Sequence, residues 1–448
     1  MVTPAPARVF LVRLLAVAQA LWVSEIHAQG TPNAQLTFEQ ASARLGHVSD
    51  ALVAAGANVR SKAALSRGTR NLRLPDVSLE ARQLRFEKSL ELGPLNATTA
   101  DWRFRPVASL ALPIYTGGRI PAAQQAAAAS VRQAEAERDM VSQTVSVQLV
   151  ETYFGVQLAL KAAAVRAQAL EGLQAHVDQT VALERQGFAT KAQRLQAMVS
   201  RDQAERERQK AINDLATARE ALANLLHTED RVIPMSPLFV ICAPLASVEE
   251  FQREALARHP QLAQLTAVQD EAAQAVRARQ AELKPQAYAF SQYDLYKHDA
   301  LLTESNWAFG VGLQYLLFTG NGRRDRVTAA RDQYDQAGAT IRDVRQRLET
   351  AVAKAWNDLE TARQTFLLLE SSIARAEENV RLQDLSFREG QATSLDVIDA
   401  RLGLARAQIE RSQSAYQFDL ALAQLLELSG QAERYAEYIH RADRVIEP

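Results

Sequence analysis

Cysteine, glycine and proline are scarce in this 448-residue sequence, and each scarcity excludes a class of structure. The single cysteine, Cys242, excludes an intrachain disulfide and a cluster of thiolate metal ligands. Glycine and proline together account for about 7% of the residues, whereas about 12% is usual. Because these two residues interrupt helices, we expect long uninterrupted helices.

An excess of either charge is also missing. The 51 basic and 52 acidic residues leave a formal net charge of −1. Nucleic-acid binding requires clustered lysine and arginine opposite the phosphates, so we predict no nucleic-acid partner. Hydrophobic residues make up 47% of the chain, which is a folding composition and excludes disorder as its main state.

Catalytic motifs are absent as well. The seven histidines form no H-E-x-x-H pair, and the sequence contains neither a G-x-S-x-G elbow nor a phosphate-binding G-x-x-x-x-G-K-[ST] loop. We therefore predict that the protein is not an enzyme and has no cofactor, no metal site and no catalytic residue.

The N-terminal residues have the pattern of an export signal. Arg8 and Arg13 precede an apolar run over 14–23, and Ala28 offers the small residue that signal peptidase accepts. We predict a signal peptide over 1–28; a short buried N-terminal helix is the alternative. A membrane-spanning helix needs about 20 apolar residues, and no run in the chain reaches that length.

The sequence contains an internal repeat. The segment RQGFAT at 185–190 is matched 203 residues later by REGQAT at 388–393, and YTG at 115–117 is matched by FTG at 318–320 at the same offset. We predict a first repeat over 29–227, a proline-containing connector over 228–246, a second repeat over 247–430 and a C-terminal segment over 431–448.

Each repeat reads as helix, strand, strand, very long helix, helix. The predicted bounds in the first repeat are helix 37–73, strands about 76–87 and 102–115, long helix 119–186 and helix 191–227. In the second repeat they are helix 247–283, strands about 286–297 and 306–318, long helix 323–388 and helix 395–429. Apolar residues from Leu348 to Val380 step alternately by four and three residues, which is the period of a coiled coil. Each long helix would measure about 100 Å.

The strands alternate between apolar and small or polar residues. From Trp102 to Ile114 and from Trp307 to Leu317 one face is apolar, whereas the other carries small or polar residues, which we interpret as facing a lumen. Trp102, Tyr115, Trp307 and Phe318 mark the ends of the strands, as in the aromatic girdles of outer-membrane strands facing lipid. A soluble β-sandwich would show the same alternation. Four strands cannot close a membrane barrel, so a barrel requires several chains, and three would supply twelve strands.

These features together resemble the TolC-type outer-membrane efflux protein family, the outer membrane factors of tripartite efflux and type I secretion systems. The resemblance rests on the strand-to-helix turns YTGGR at 115–119 and FTGNGR at 318–323, on the hairpin turns around Gly187 and Gly390, and above all on GQATSLDVIDA at 390–400. It covers nearly the whole chain after the predicted signal peptide.

The resemblance implies a mainly α fold with a membrane β-barrel. In such a TolC-like homotrimer, four strands per protomer form a shared 12-stranded barrel in the outer membrane of a Gram-negative bacterium, continuous with a long α-helical barrel in the periplasm. The implied function is a passive exit duct, docked to a periplasmic adaptor protein and an inner-membrane transporter. The alternative is a periplasmic coiled-coil scaffold without a channel.

The resemblance also implies roles for individual residues. Asp396 and Asp399 would form a pore gate at the periplasmic tip. Their spacing alone, without the resemblance, favours a pair of carboxylates that stabilise a helix start. The residues expected at the tip, for docking the adaptor or holding the tip shut, are Gly187, Phe188, Phe387, Arg388 and Gly390. For Phe387 and Arg388, stabilisation of the hairpin itself is the alternative. The strand-to-helix turns place Gly117, Gly118, Gly320 and Gly322 where glycine is expected.

Overall fold

A computed structural model describes residues 33–85, 91–92, 97–98, 102–295 and 305–446. The predicted signal peptide lies outside the described residues, as do residues 86–87 and 296–297 of two predicted strands. The helices are α1 (Phe38–Val48), α2 (Asp50–Thr69), α3 (Arg119–Arg185), α4 (Lys191–Leu225), α5 (Val248–Arg258), α6 (Pro260–Ala281), α7 (Arg323–Arg388), α8 (Ser394–Leu428) and α9 (Tyr435–Ile439). The strands are β1 (Asn33–Leu36), β2 (Asp76–Arg85), β3 (Glu91–Leu92), β4 (Ala97–Thr98), β5 (Trp102–Tyr115), β6 (Arg231–Pro234), β7 (Leu238–Val240), β8 (Gln286–Asp294), β9 (Trp307–Gln314) and β10 (Arg444–Ile446).

Two hairpins of long helices dominate the chain. Helix α3 has 67 residues and packs along α4, and α7 has 66 residues and packs along α8; α3 also packs against α8. The coiled-coil period is confirmed along the first half of its predicted length, because Leu348, Val352, Ala355, Leu359, Ala362 and Phe366 are all buried. At 1.5 Å per residue, each long helix extends for about 100 Å.

The helices predicted over 37–73 and 247–283 are each broken in two. Ser49 ends α1 and caps α2, accepting a hydrogen bond from the Leu52 amide at 3.4 Å. In the second repeat, Pro260 lacks an amide hydrogen and so begins a new helix at its first position. The residue before it, His259, has the extended backbone that a following proline imposes.

The connector and the C-terminal segment form a second, smaller region beside the middle of the long helices. Strand β6 pairs in parallel with β1, and β10 pairs antiparallel with β7. An aromatic cluster packs these strands against α3, with ring centroids 5.1–6.1 Å apart among Phe38, Tyr153, Phe154, Phe239 and Tyr435. This cluster is the centre of the main hydrophobic core.

The remaining long strands form an antiparallel four-stranded sheet in the described part of the chain, in the order β2-β5-β8-β9. The register places Val77 opposite Leu110, and Leu110 opposite Ser291, so the apolar residues of β2, β5 and β9 share one face. Exposed apolar side chains on that face include Val77, Leu79, Phe309, Val311 and Leu313.

Strand β9 ends four residues earlier than the prediction of 318. Gln314 pairs with Gln286, which is the first residue of β8, so the following residues have no partner strand to continue the ladder. Arg323 instead donates hydrogen bonds to the Leu316 carbonyl at 2.5 Å and the Glu282 carbonyl at 3.0 Å. Phe318 therefore follows the strand rather than ending it.

None of the described helices is both long enough and apolar enough to cross a membrane.

Candidate functional site

The two hairpin turns at the ends of α3 and α7 have the same backbone geometry. Gly187 and Gly390 have φ of 82° and 75°, in the left-handed region that favours glycine. The Phe188 amide donates to the Leu183 carbonyl at 2.9 Å, and the Gln391 amide donates to the Ser386 carbonyl at 2.8 Å. This is the Schellman motif that ends helices. A Cβ at either glycine would meet no atom within 4 Å, so the backbone conformation and not space requires glycine.

The helix after each turn begins with a capping box. Thr190 caps α4, and its amide donates to Gln193 Oε1 at 2.8 Å. Thr393 caps α8, and its amide donates to Asp396 Oδ2 at 2.8 Å. The same Asp396 oxygen accepts from the Thr393 hydroxyl at 2.6 Å. These bonds, first from the side chain and then from the backbone of Thr393, lower the pKa of Asp396.

The structure thus gives Asp396 a local role that its spacing alone left open. One carboxylate oxygen completes the cap, and the side chain as a whole is exposed. Asp399, three residues further along α8, is also exposed in the single chain. Capping uses Oδ2 and leaves Oδ1 outside the box, so capping does not exclude a second role for the carboxylate.

The predicted tip residues divide into exposed and buried groups. Phe188 is 79% exposed, and Arg388 is also exposed. Phe387, in contrast, is only 5% exposed and packs inside the protein, with its ring centroid 4.9 Å from that of His176 on α3. Phe387 therefore stabilises the contact between the two hairpins, and in this conformation it is covered.

His176 is a buried residue that sequence reasoning missed. Its side chain is 1% exposed, and its Nε2 lies 2.7 Å from the Ser394 hydroxyl at the start of α8. The two residues are 218 positions apart, and no local pattern in the sequence relates them. Burial, and then the positive charge of Arg401, lower the pKa of His176.

The strand-to-helix turns differ between the repeats. Gly117 and Gly118 have φ of 65° and 103°, and Gly322 has φ of 60°. Gly320 lies in the second turn but outside the left-handed region, and it has open space around it, so its position does not require glycine. The inserted Asn321 moves the left-handed residue of the second turn to Gly322.

Three of the aromatic residues predicted at the strand ends, Trp102, Tyr115 and Trp307, lie at the limits of the sheet, whereas Phe318 follows β9. Trp102 begins β5 and pairs with Arg85, and Tyr115 ends that strand. Trp307 begins β9, and its Nε1 donates to the Ser291 hydroxyl at 2.7 Å. Trp307, Tyr115 and Phe318 are all exposed.

The opposite face of the sheet is less open than its small residues suggested. Tyr288 and Phe290 on β8 lie directly opposite Gly312 and Gly310, and their rings occupy the space that side chains at the glycines would fill. Aromatic rings commonly cover glycine in a neighbouring strand. The polar part of this face contains an ion pair between Arg105 and Asp294 at 2.9 Å.

A buried carboxyl in the smaller region was also missed. Asp419 on α8 is 0% exposed, and its Oδ2 accepts from the Phe239 amide at 3.4 Å. Burial raises the pKa of Asp419 well above its ordinary value, so this carboxyl is neutral over a wider pH range than a surface aspartate. Its position in the aromatic core gives it a structural role, because it joins α8 to β7.

Comparisons with known proteins agree with this architecture. The model of the outer membrane efflux protein family matches residues 47–227 and 252–431. The outer membrane efflux protein BepC of Brucella suis biovar 1 (strain 1330) is 25% identical over 310 residues, which are 68% of this chain and 67% of BepC.

Solved structures with the same fold include the outer membrane protein VceC of Vibrio cholerae, with a TM-score of 0.74 at 18% identity over 88% of this chain and 96% of VceC. The CmeC outer membrane channel of Campylobacter jejuni has a TM-score of 0.76 at 14% identity, over 91% of this chain and 90% of CmeC. CmeC is described as an outer membrane channel and VceC as an outer membrane protein. Since the family match extends over both hairpins and the sheet, the chain belongs to the outer membrane efflux protein family.

Proposed function

We propose that this protein is the outer-membrane exit duct of a tripartite efflux pump or a type I secretion system. Three chains form the duct, anchored in the outer membrane of a Gram-negative bacterium and extending into the periplasm. The observation that carries the proposal is the four-stranded sheet, which combines an exposed apolar face with two open edges.

The open edges require partner strands. Strands β2 and β9 each have one partner among the described residues, so their outer backbone groups are unpaired in the single chain. In lipid each unpaired group costs several kcal/mol, and only a closed barrel removes the edges. Three copies supply twelve strands, which is within the range of known outer-membrane barrels. Outer-membrane lipid then covers the apolar face.

The long helices support a conduit that leaves the membrane. Helix α3 follows β5 and helix α7 follows β9, each after a short turn segment, and each helix extends for about 100 Å. We propose that the helices of three chains form a barrel that continues the β-barrel through the periplasm. Gly187, Phe188, Arg388 and Gly390 at the exposed tips are the proposed contacts for the adaptor, which links the duct to the inner-membrane transporter.

The proposed boundaries of the segments are those predicted from the sequence. A signal peptide over 1–28 directs export, the repeats span 29–227 and 247–430, and the connector over 228–246 and the segment over 431–448 form the smaller region. The internal repeat gives each chain two similar hairpins.

The proposed gate consists of Asp396 and Asp399. Around a threefold axis, three chains bring six carboxylates together, and a ring of carboxylates selects cations in a narrow pore. Gln193 and Gln196 occupy the corresponding positions of the first hairpin, so only the second hairpin contributes negative charge.

The gate is tested by the double variant Asp396→Asn with Asp399→Asn. The amide oxygen that replaces the carboxylate at position 396 retains the cap, whereas the charge is lost, so the hairpin stays folded and only the electrostatics change. We expect planar-bilayer recordings to show weaker block by divalent cations and weaker cation selectivity. The converse variant, Gln193→Asp with Gln196→Asp, should strengthen the block if those positions also face the pore. Unchanged selectivity in the asparagine variant would show that the aspartates act only as helix-start carboxylates.

The assembly is tested independently of the gate. Light scattering of the purified protein, corrected for bound detergent, should give the mass of three chains. A stable monomer that is soluble without detergent would contradict the duct and favour the periplasmic scaffold.

A further inference from the structure

A buried polar contact joins the two hairpins near the tip, at His176. The residue lies on α3, while Phe387 on α7 and Ser394 on α8 belong to the second hairpin. Ser394 directly follows the cap Thr393 and precedes the proposed gate residue Asp396 by two positions. The imidazole therefore joins the first hairpin directly to the start of the helix that carries the aspartates.

Burial favours the neutral form of the ring and lowers the pKa of His176, although a backbone hydrogen bond with Ser394 acts in the opposite direction. Nε2 bonds to the Ser394 hydroxyl, whereas Nδ1 is buried and has no hydrogen-bond partner among the described residues. In the tautomer that donates from Nε2, the bare nitrogen is Nδ1, which is less costly to bury than an unpaired N–H group. A second proton would place both a positive charge and an unpaired N–H in this site.

The surrounding charges do not compensate for a second proton. Arg401 on α8 disfavours a charged ring, and Asp384 on α7 favours it, but these two groups form an ion pair with each other at 2.7 Å. Leu173 and Val177, on either side of His176 in α3, belong to a hydrophobic cluster that receives Ala197, Ala204 and the partly buried Met198 from α4. The charged Arg194 of α4 is paired with Glu184 at 2.6 Å.

We propose that His176 is a positioning residue. Its hydrogen bond to Ser394, called the clasp below, holds the start of α8, with Asp396 and Asp399, against the first hairpin, and protonation of the ring releases this clasp. The proposed pore function is needed only for the final consequence, a change in conductance; the contact itself is independent of it.

The direction of the pH effect follows from proton linkage. Because the buried ring has a lowered pKa, the clasp is strongest above the ordinary histidine pKa of about 6.5 and weakens as the pH falls through the lowered value. Between about pH 6.5 and the lowered value, each unit by which the pH falls favours the released state by up to tenfold per chain, and below the lowered value this preference stays constant.

Hydrogen exchange of the amides over 394–400 tests the clasp in the full-length protein in detergent. The variant His176→Gln keeps a side chain that can bond to Ser394 but cannot take up a proton. Comparing it with wild type at the same pH cancels the intrinsic pH dependence of exchange. We expect equal protection at pH 8 and severalfold faster exchange of the wild type at pH 5. The matched control His259→Gln, at the start of α6, should behave as wild type at both pH values.

An exchange ratio between wild type and His176→Gln that is the same at pH 8 and pH 5 would overturn the proposal. If His176→Gln does not fold, Ser394→Ala serves instead. Loss of the hydroxyl should speed exchange at pH 8 and reduce the step between the two pH values, and no change at either pH would overturn the clasp.

Bilayer conductance of the same proteins separates this inference from the proposed function. A step in wild-type conductance between pH 8 and pH 5 that is absent in His176→Gln supports both. An exchange step without any channel activity supports the clasp and contradicts the proposed duct.

Discussion

The glycines of the strand-to-helix turns offer a stability test with internal controls. At Gly117, φ is 65°, and a Cβ would lie 2.8 Å from the Ala281 carbonyl oxygen and 2.9 Å from Lys284 Cβ. Gly117→Ala therefore introduces both an unfavourable backbone conformation and a clash with the end of α6. At Gly320 neither condition holds.

The magnitudes follow from these two contributions. A left-handed backbone costs a non-glycine residue about 1–2 kcal/mol, and overpacking against a backbone atom costs about 1–3 kcal/mol. We expect Gly117→Ala to lower the free energy of unfolding by about 2–5 kcal/mol. Gly118→Ala meets open space and should cost only the conformational part, about 1–2 kcal/mol. Gly320→Ala should be neutral or stabilising by about 0.4–1 kcal/mol.

Thermal unfolding of the purified protein, followed by circular dichroism at fixed protein and detergent concentration, measures this order. We expect Gly117→Ala to have the lowest unfolding temperature of the three variants, Gly118→Ala an intermediate one and Gly320→Ala one close to that of wild type. Equal unfolding temperatures for Gly117→Ala and Gly320→Ala would refute it.

Three further predictions concern other parts of the chain. Because the pKa of Asp419 is raised, its contribution to stability is complete below about pH 3.8 and is lost as the pH rises through the raised value; Asp419→Asn should remove this loss in denaturation series at several pH values. Thr393→Ala and Thr190→Ala should each cost about 1 kcal/mol in such a series, and no effect of either would show that the capping boxes do not stabilise the hairpins. If the face of Leu313 meets lipid, Leu313→Arg should destabilise the trimer by about 2–4 kcal/mol and lower the amount of trimer recovered, whereas Gln314→Arg on the opposite face should be tolerated. Equal recovery of the two variants would contradict the assigned polarity of the sheet.

The sequence predicts the coiled-coil packing well because the repeated spacing of apolar residues has one cause, their position on one side of a helix. Residues spaced by four and three lie on one side of a helix, so the burial of Leu348 and Phe366 follows from spacing alone. The break at Pro260, inside the helix predicted over 247–283, also has a local cause, since proline favours the first position of a helix.

Contacts between distant segments could not be predicted in the same way. The pairing of His176 with Ser394 depends on how the two hairpins pack, and the local sequence around either residue does not distinguish it from other residues of its helix. Likewise, the difference between Gly320 and Gly322 depends on where the single inserted residue is accommodated in the turn. Such outcomes are set by tertiary geometry, which single-sequence patterns do not contain.

The two capping boxes show that the backbone conformation of a tip does not depend on the charge of its capping side chain. Gln193 and Asp396 accept the amide hydrogen of their cap threonines at the same distance, 2.8 Å, although one is an amide and the other a carboxylate. A neutral and an anionic side chain therefore stabilise the same backbone conformation. Each hairpin can be neutral or anionic without rebuilding its fold, so a trimer could present none, three or six charges at these two positions. The electrical character of the tips is adjustable in discrete steps by exchanging single atoms, an amide nitrogen for a carboxylate oxygen.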